Sequence, residues 1–208
     1  MSKYSRKSLA VLVSGYGSNM QSIVDSTKDG LLKGLAEVVL VVSSNSNAYA
    51  IERAKNEHIK AICVESKKFK NEKKFTDVIL DELQNADVDL ICLAGYMSKI
   101  GVEIIRKYDG RILNIHPALL PKFGGKGMYG RYVHEAVIKS GDTKSGATVH
   151  FVDENYDTGR IILQQEVNIF SNDSPRDVAK KVMIIECKIY PKAIKKVIEE
   201  DLKKVHLF

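Results

Sequence analysis

Short unbroken apolar runs alternate along this chain with segments whose apolar positions recur at helical spacing. Leu9–Val13 is the first run, and the helical pattern after it passes through Met20, Ile23 and Val24. A second run covers Glu37–Val42, a helix Asn47–Asn56, and a third run Lys60–Val64. Glu72–Leu83 then sets Phe75, Val78, Ile79 and Leu83 on one helical face. Val88–Ala94, a short helix at Gly101–Lys107 and a fifth run at Arg111–Ile115 follow. A strand covered on both faces reads as a continuous apolar run, and helices between such strands return the chain for parallel pairing. The expected fold class is therefore α/β, an open, mostly parallel sheet with helices on both faces. Beyond residue 130 the rhythm changes. Val133–Lys139 is helical, and Thr148–Val152 and Ile161–Val167 are near enough to pair directly across a loop at Asp153–Gly159. Ser174-Pro175 supplies an N-cap and a helix-initiating proline. Val178, Val182, Ile185 and Ile189 then carry a long last helix. No linker, repeat or low-complexity tract interrupts the chain, so a single domain over residues 1–208 is expected.

Composition narrows this picture. Hydrophobic residues fill 44% of the 208 positions, enough for a core without metal or disulfide staples. The net charge of +6 is spread over Lys67-Lys68, Lys73-Lys74, Lys180-Lys181, Lys195-Lys196 and Lys203-Lys204. Such pairs on polar helix faces read first as solvated surface and second as a field that gathers anionic substrates. Nucleic acid is not an expected partner, because no basic stripe carries interleaved aromatics. Cys63 and Cys92 lie inside apolar runs and read as small core residues, and with Cys187 they form no CxxC pair. A reducing compartment without a zinc site follows. The segment Met1–Lys7 leads straight into a strand too short for a secretion signal, and no apolar stretch approaches the ~18 residues of a membrane span. No membrane partner is expected, and the cytoplasm is the expected location.

The chemistry-bearing residues fall where such a sheet puts them, at the carboxyl ends of its strands. Asn114 and His116 are one residue apart, so on a strand they face the same side. An amide donates to a developing oxyanion, and an imidazole handles a proton near neutral pH. Asp157, in the turn-rich loop Asp153–Gly159, adds a carboxylate able to orient and charge that imidazole. His150, on the strand feeding this loop, reads as a supporting or core histidine; His58, His134 and His206 read as surface or packing residues. Ser14-Gly15-Tyr16-Gly17-Ser18-Asn19 joins the first strand to the first helix. Its glycines and the helix N-terminus suit an anion. It lacks the Gly-Lys-Ser/Thr of a Walker loop and the third glycine of a dinucleotide fingerprint, so a phosphate monoester fits better than NAD. The plain alternative is a turn capped by Ser18 and Gln21. Leu93–Ile100 brings Tyr96, Met97 and Ile100 to a strand end, suited to a flat aromatic ligand. The run Gly124–Gly130 is a candidate mobile cover, and Glu186 is a carboxylate on the apolar-striped last helix.

Taken together, SGYGSNMQSI, LAGYMSKI, LNIHPALLPKF, GATVHFVDENYDTGRIILQ and ECKIYP resemble the phosphoribosylglycinamide formyltransferases, the folate-dependent glycinamide ribonucleotide transformylases of purine synthesis. The blocks occur in the family's order and span nearly the whole chain. The resemblance implies a Rossmann-like half over about 1–100 that binds the ribonucleotide phosphate, and a catalytic and folate half over about 101–208. It implies a catalytic trio of Asn114, His116 and Asp157, and a phosphate loop of Gly17, Ser18 and Asn19. Met97, Ser98, Lys99 and Ile100, with Asn114, would line the folate pocket, and Glu186 would face the substrate. The substrates implied are glycinamide ribonucleotide and 10-formyltetrahydrofolate, with no metal, in a monomer or homodimer. In the expected mechanism Asp157 keeps His116 protonated as the general acid. Departures fall at Ser98 and at Asn71-Glu72-Lys73-Lys74, where many members carry arginine, and at Phe123–Tyr132, which is longer than the common form. A formyltetrahydrofolate hydrolase or tRNA formyltransferase shares the trio, but those families add domains this chain is not expected to have. A non-catalytic nucleotide-binding module and a dinucleotide oxidoreductase are the more distant alternatives.

Overall fold

The computed structural model describes residues 6–205, with side chains to residue 201. Met1–Ser5, the Lys203-Lys204 side chains and His206 lie outside the described part. Strands run Lys7–Val13 (β1), Ala36–Ser43 (β2), Lys60–Cys63 (β3), Leu90–Leu93 (β4), Ile112–His116 (β5), Lys144–Phe151 (β6) and Ile161–Asn168 (β7). Helices run Ser18–Asp29 (α1), Tyr49–Asn56 (α2), Glu72–Asn85 (α3), Val102–Lys107 (α4), Arg131–Ser140 (α5) and Pro175–Val205 (α6).

The strands form a seven-stranded sheet in the order β3-β2-β1-β4-β5-β6-β7. β1 through β5 pair in parallel, while β5–β6 and β6–β7 pair antiparallel. Strand order reverses direction between β1 and β4, the point where an open α/β sheet places its binding crevice. The unbroken apolar runs are the strands buried on both faces. Along β1, Leu9, Val11 and Val13 join a core with α1, α2, α5 and α6, whereas Ala10 and Leu12 join one with α3 and α4. The period of two in a strand sends alternate residues to opposite layers.

Helix α6 is the longest element. Ser174 and Asp177 cap its start reciprocally: the Asp177 N–H donates to Ser174 Oγ and the Ser174 N–H to Asp177 Oδ2. Val178, Val182, Ile189, Tyr190 and Ile194 bury one stripe against the sheet. The fully buried Tyr190 hydroxyl is shared between the Leu93 and Leu113 carbonyls, 3.0 Å from each, tying α6 to the ends of β4 and β5. No described helix is long and apolar enough to cross a membrane.

Two sequence expectations change here. Cys92 is buried, but Cys63 is exposed, because it is the last residue of the edge strand β3. Strand β6 begins at Lys144 rather than Thr148; Ser145, Gly146 and Ala147 are too small to read as an apolar run, yet they are buried or closely covered. A Cβ on Gly146 would stand 2.1 Å from the Gln165 carbonyl. His58 is exposed and His134 is buried within α5, as expected.

Candidate active site

The loop after β1 is shaped by backbone. Gly17 is the N-cap of α1 at φ +82°, and a Cβ there would lie 2.8 Å from Ala50 Cβ. Both the left-handed conformation and the approach of α2 demand glycine. The Ala50 N–H donates to the Gly15 carbonyl, and Arg53 Nε donates to the Tyr16 carbonyl. Helix α2 thus underpins the loop. The capping pair of Ser18 and Gln21 does not form; Gln21 instead donates to Asp25 and Glu57. The N-terminus of α1, with no side-chain cap, follows the carboxyl end of β1, and a helix N-terminus favours an anion. From α6, Glu186 accepts a hydrogen bond from Asn19 Nδ2 at 3.3 Å. Burial pushes the Glu186 carboxyl up to about 7, and the Asn19 bond opposes this only in part.

The trio assembles one strand pair away. Strand register sets Asn114 opposite His150 and His116 opposite Thr148. Asn114 Nδ2 donates to His150 Nε2 at 3.1 Å, and His150 Nδ1–H donates to the Phe151 carbonyl at 2.8 Å. That carbonyl fixes the tautomer. Asp157 stands at φ +58°, with Oδ2 3.6 Å from His116 Nδ1 and Oδ1 3.6 Å from His150 Nε2. Burial alone would raise its pKa; the two histidines and the Gly125 N–H outweigh this and hold it below the usual carboxylate range.

His116 is only 3% exposed, because the segment after Pro121 folds across it. Its Nε2–H donates to the Phe123 carbonyl at 2.7 Å, and the Gly125 N–H donates to Asp157 Oδ2 at 2.9 Å. Phe123 holds φ +56° to reach this position. Burial lowers the His116 pKa below the ordinary histidine value, and nearby His150 adds to the shift. The Asp157 charge and the Phe123 bond pull upward without offsetting it. This corrects the expectation that Asp157 keeps His116 protonated: the carboxylate acts in that direction, but desolvation wins, and the resting imidazole is neutral at pH 7. With the proton on Nε2, the nitrogen left to take up another is Nδ1, which faces Asp157.

The stretch after β4 divides. Met97 is 56% exposed, Ser98 is half-buried, Lys99 turns toward Glu72 on α3 at 3.7 Å, and Ile100 is buried in the core. Met97 is therefore accessible and Asn114 partly so at neighbouring strand ends, while Ile100 anchors the segment. A separate depression, lined by Gln84, Asp89, Tyr108 and Arg111, lies at the amino ends of β4 and β5 and has no part in this cluster.

A formyl transferase family model matches residues 7–194. The chloroplastic phosphoribosylglycinamide formyltransferase of Arabidopsis thaliana is 43% identical, over 95% of this chain and 68% of that protein. The phosphoribosylglycinamide formyltransferase of Haemophilus influenzae is 42% identical, over 91% of this chain and 86% of its own. Glycinamide ribonucleotide transformylase 1 from Symbiobacterium toebii superposes with a TM-score of 0.87 at 34% identity, covering 94% of this chain and 89% of that one. The chain spans about two thirds of the plant relatives it matches.

The chain belongs to the phosphoribosylglycinamide formyltransferase family.

Within this formyltransferase, Asn114, His116 and Asp157 converge as the sequence leads one to expect, and Asn19 meets Glu186 across 167 positions. His150 is more central than its sequence reading, since it contacts both Asn114 and Asp157. The strand register carries that signal, because His150 lies on the same face of β6 as Thr148. Thr148 Oγ1 donates to the Ala118 carbonyl and accepts from the Leu120 N–H, fixing the turn after His116. The backbone groups of Phe123 and Gly125 left no trace in the residue pattern.

Proposed function

We propose that this chain transfers the formyl group of 10-formyltetrahydrofolate to the amine of glycinamide ribonucleotide in purine synthesis. The convergence of Asn114, His116 and Asp157 at the carboxyl end of β5 carries this reading, and membership of the formyltransferase family supports it. Gly17, Ser18 and Asn19 hold the ribonucleotide phosphate through the N-terminus of α1. Glu186 accepts a donor group of the same substrate. The folate is a co-substrate that supplies the formyl carbon; Met97, Ser98 and Asn114 bound its site, with Lys99 and Ile100 shaping the segment behind them. An exposed thioether beside a half-buried amide suits a flat ring with a polar edge. The expected location remains the cytoplasm, and the chain acts as a monomer or homodimer.

When the amine attacks the formyl carbon, the carbonyl electrons move to oxygen, and an Asn114 N–H holds that oxygen. His116 begins neutral; once Nε2 leaves the Phe123 carbonyl and the imidazole proton sits on Nδ1 against Asp157, Nε2 is free to take a proton from the attacking amine and then give it to the leaving folate nitrogen. Asp157 stabilises the imidazolium between those two transfers. For His116 to meet the substrate, the Phe123 carbonyl must give up its bond. The test is a single assay: purified protein, glycinamide ribonucleotide and a 10-formyl folate, with deformylated folate followed by absorbance. Wild type should turn over, and Asn114→Ala and His116→Ala should each lose about 100- to 1,000-fold in kcat. Turnover within a few fold of wild type in either variant would overthrow its assignment.

A further inference from the structure

One side chain joins the two proposed substrate regions. Ser14 opens the glycine loop directly after β1. Its hydroxyl accepts the Met97 N–H at 2.8 Å and lies 2.5 Å from the Ser44 hydroxyl, while its carbonyl accepts from Asn45 Nδ2 at 3.2 Å. The chain leaves the sheet just before Met97. The Ala94 N–H is still held by the Leu12 carbonyl, and Gly95 at φ +71° then turns the backbone outward. At Met97 the next anchor comes from a side chain of the neighbouring loop instead of a strand. Met97 itself is 56% exposed, so packing contributes little to its placement, whereas Ile100 pins the far end in the core at 7% exposure. The Met97 side chain also reaches the N-cap of α5, its Cε standing 3.9 Å from where a Cβ on Gly130 would lie.

We propose that Ser14 is a positioning residue for the folate side: it fixes the near end of Met97–Ile100, so a residue of the nucleotide loop sets affinity for the folate. The inference rests on the proposed function, because Met97 and Ser98 bound the folate site only under that reading. Without the Ser14 hydroxyl, the Met97 N–H loses its acceptor, and the segment is held only at its flanks, by Tyr96 and Ile100 against the core and Lys99 at Glu72. A net hydrogen bond of this kind corresponds to about a 3- to 10-fold change in an equilibrium constant.

The experiment uses the full chain and compares Ser14→Ala, Ser14→Thr and Asn45→Ala. Asn45→Ala frees the Ser14 carbonyl on the nucleotide side without touching Met97. The dissociation constant of a 10-formyl folate analogue is measured by fluorescence titration without ribonucleotide, and the KM for ribonucleotide is measured separately. Ser14→Ala should weaken folate binding about 3- to 10-fold. Ser14→Thr, which keeps the hydroxyl, and Asn45→Ala should both stay within about twofold of wild type, an upper limit for leaving this single bond intact. Thermal melting checks each fold, and Ser14→Cys, similar in size but a poor acceptor, gives the same readout if the alanine variant does not fold. Unchanged folate affinity in Ser14→Ala overturns the proposal, as does an equal loss in Asn45→Ala, which would mean general loosening. A wild-type chain that neither binds the folate nor turns over overturns the proposed function and this inference with it.

Discussion

The two halves of the site are built on opposite plans. The loop after β1 lies open: Gly15 and Tyr16 are exposed, Gly17 through Asn19 are half-buried, and α2 supports it from below. The trio is covered: His116 gives its Nε2 proton to Phe123, and Asp157 Oδ2 takes the Gly125 N–H. The first region needs only an anion. In the second, polar atoms of the reacting groups are already satisfied by the chain itself. A preformed binding surface thus stands beside a chemical centre that has to be uncovered, and uncovering it raises the dielectric around a histidine held neutral by burial. The contrast locates any order of events in the Phe123–Gly130 segment.

The largest effect that would break this contrast is expected from Asp157→Asn. Turnover should drop about 100-fold, since a charge-stabilising partner of the general acid is lost. The acidic limb of the kcat/KM profile, where His116 gains its second proton, should move to lower pH. The sign follows from the opposing causes: burial lowers the His116 pKa, Asp157 raises it, and removing the carboxylate leaves burial less opposed. An unmoved limb would sever the two residues. On the open side, Gly17→Ala combines φ +82° with a 2.8 Å approach to Ala50. It should raise the ribonucleotide KM about tenfold, the equivalent of strain at one residue, with little change in the folate KM. Equal rises in both would erase the distinction between the halves. The smallest effect is expected from Glu186→Gln and is read as stability. With its folded pKa raised to about 7, Glu186 contributes stability that is fully present below its ordinary value near 4.5 and is lost as pH rises through 7. The glutamine variant should therefore gain about 1 kcal/mol over wild type at pH 8, a value discounted for partial exposure, and the gain should vanish below pH 4.5. Thermal melts at the two pH values decide it, and an equal gain at both would exclude a titration.

How far the residues alone reach can be judged from particular cases. The parallel strands are legible because burial on both faces leaves no polar alternation. Asn114 and His116 are legible because a period of two ties them to one face. Strand β6 shows the limit: Ser145, Gly146 and Ala147 are selected for close approach to β7, which hydropathy does not register. The charge of His116 shows another. Asp157 is visible in the sequence and argues for a cation, but the burial that overrules it comes from the fold of residues 123–125. His150 required register, since its partner Asn114 lies 36 positions away.

Helix α6 places Glu186 against the first loop and, one turn on, seats Tyr190 beneath the carbonyls of β4 and β5. A chain emerging from the ribosome would thus have released every strand while its nucleotide loop still lacked a carboxylate partner and its strand ends a keystone. Assembly of the reactive centre therefore waits on the docking of α6, after the strands it bridges.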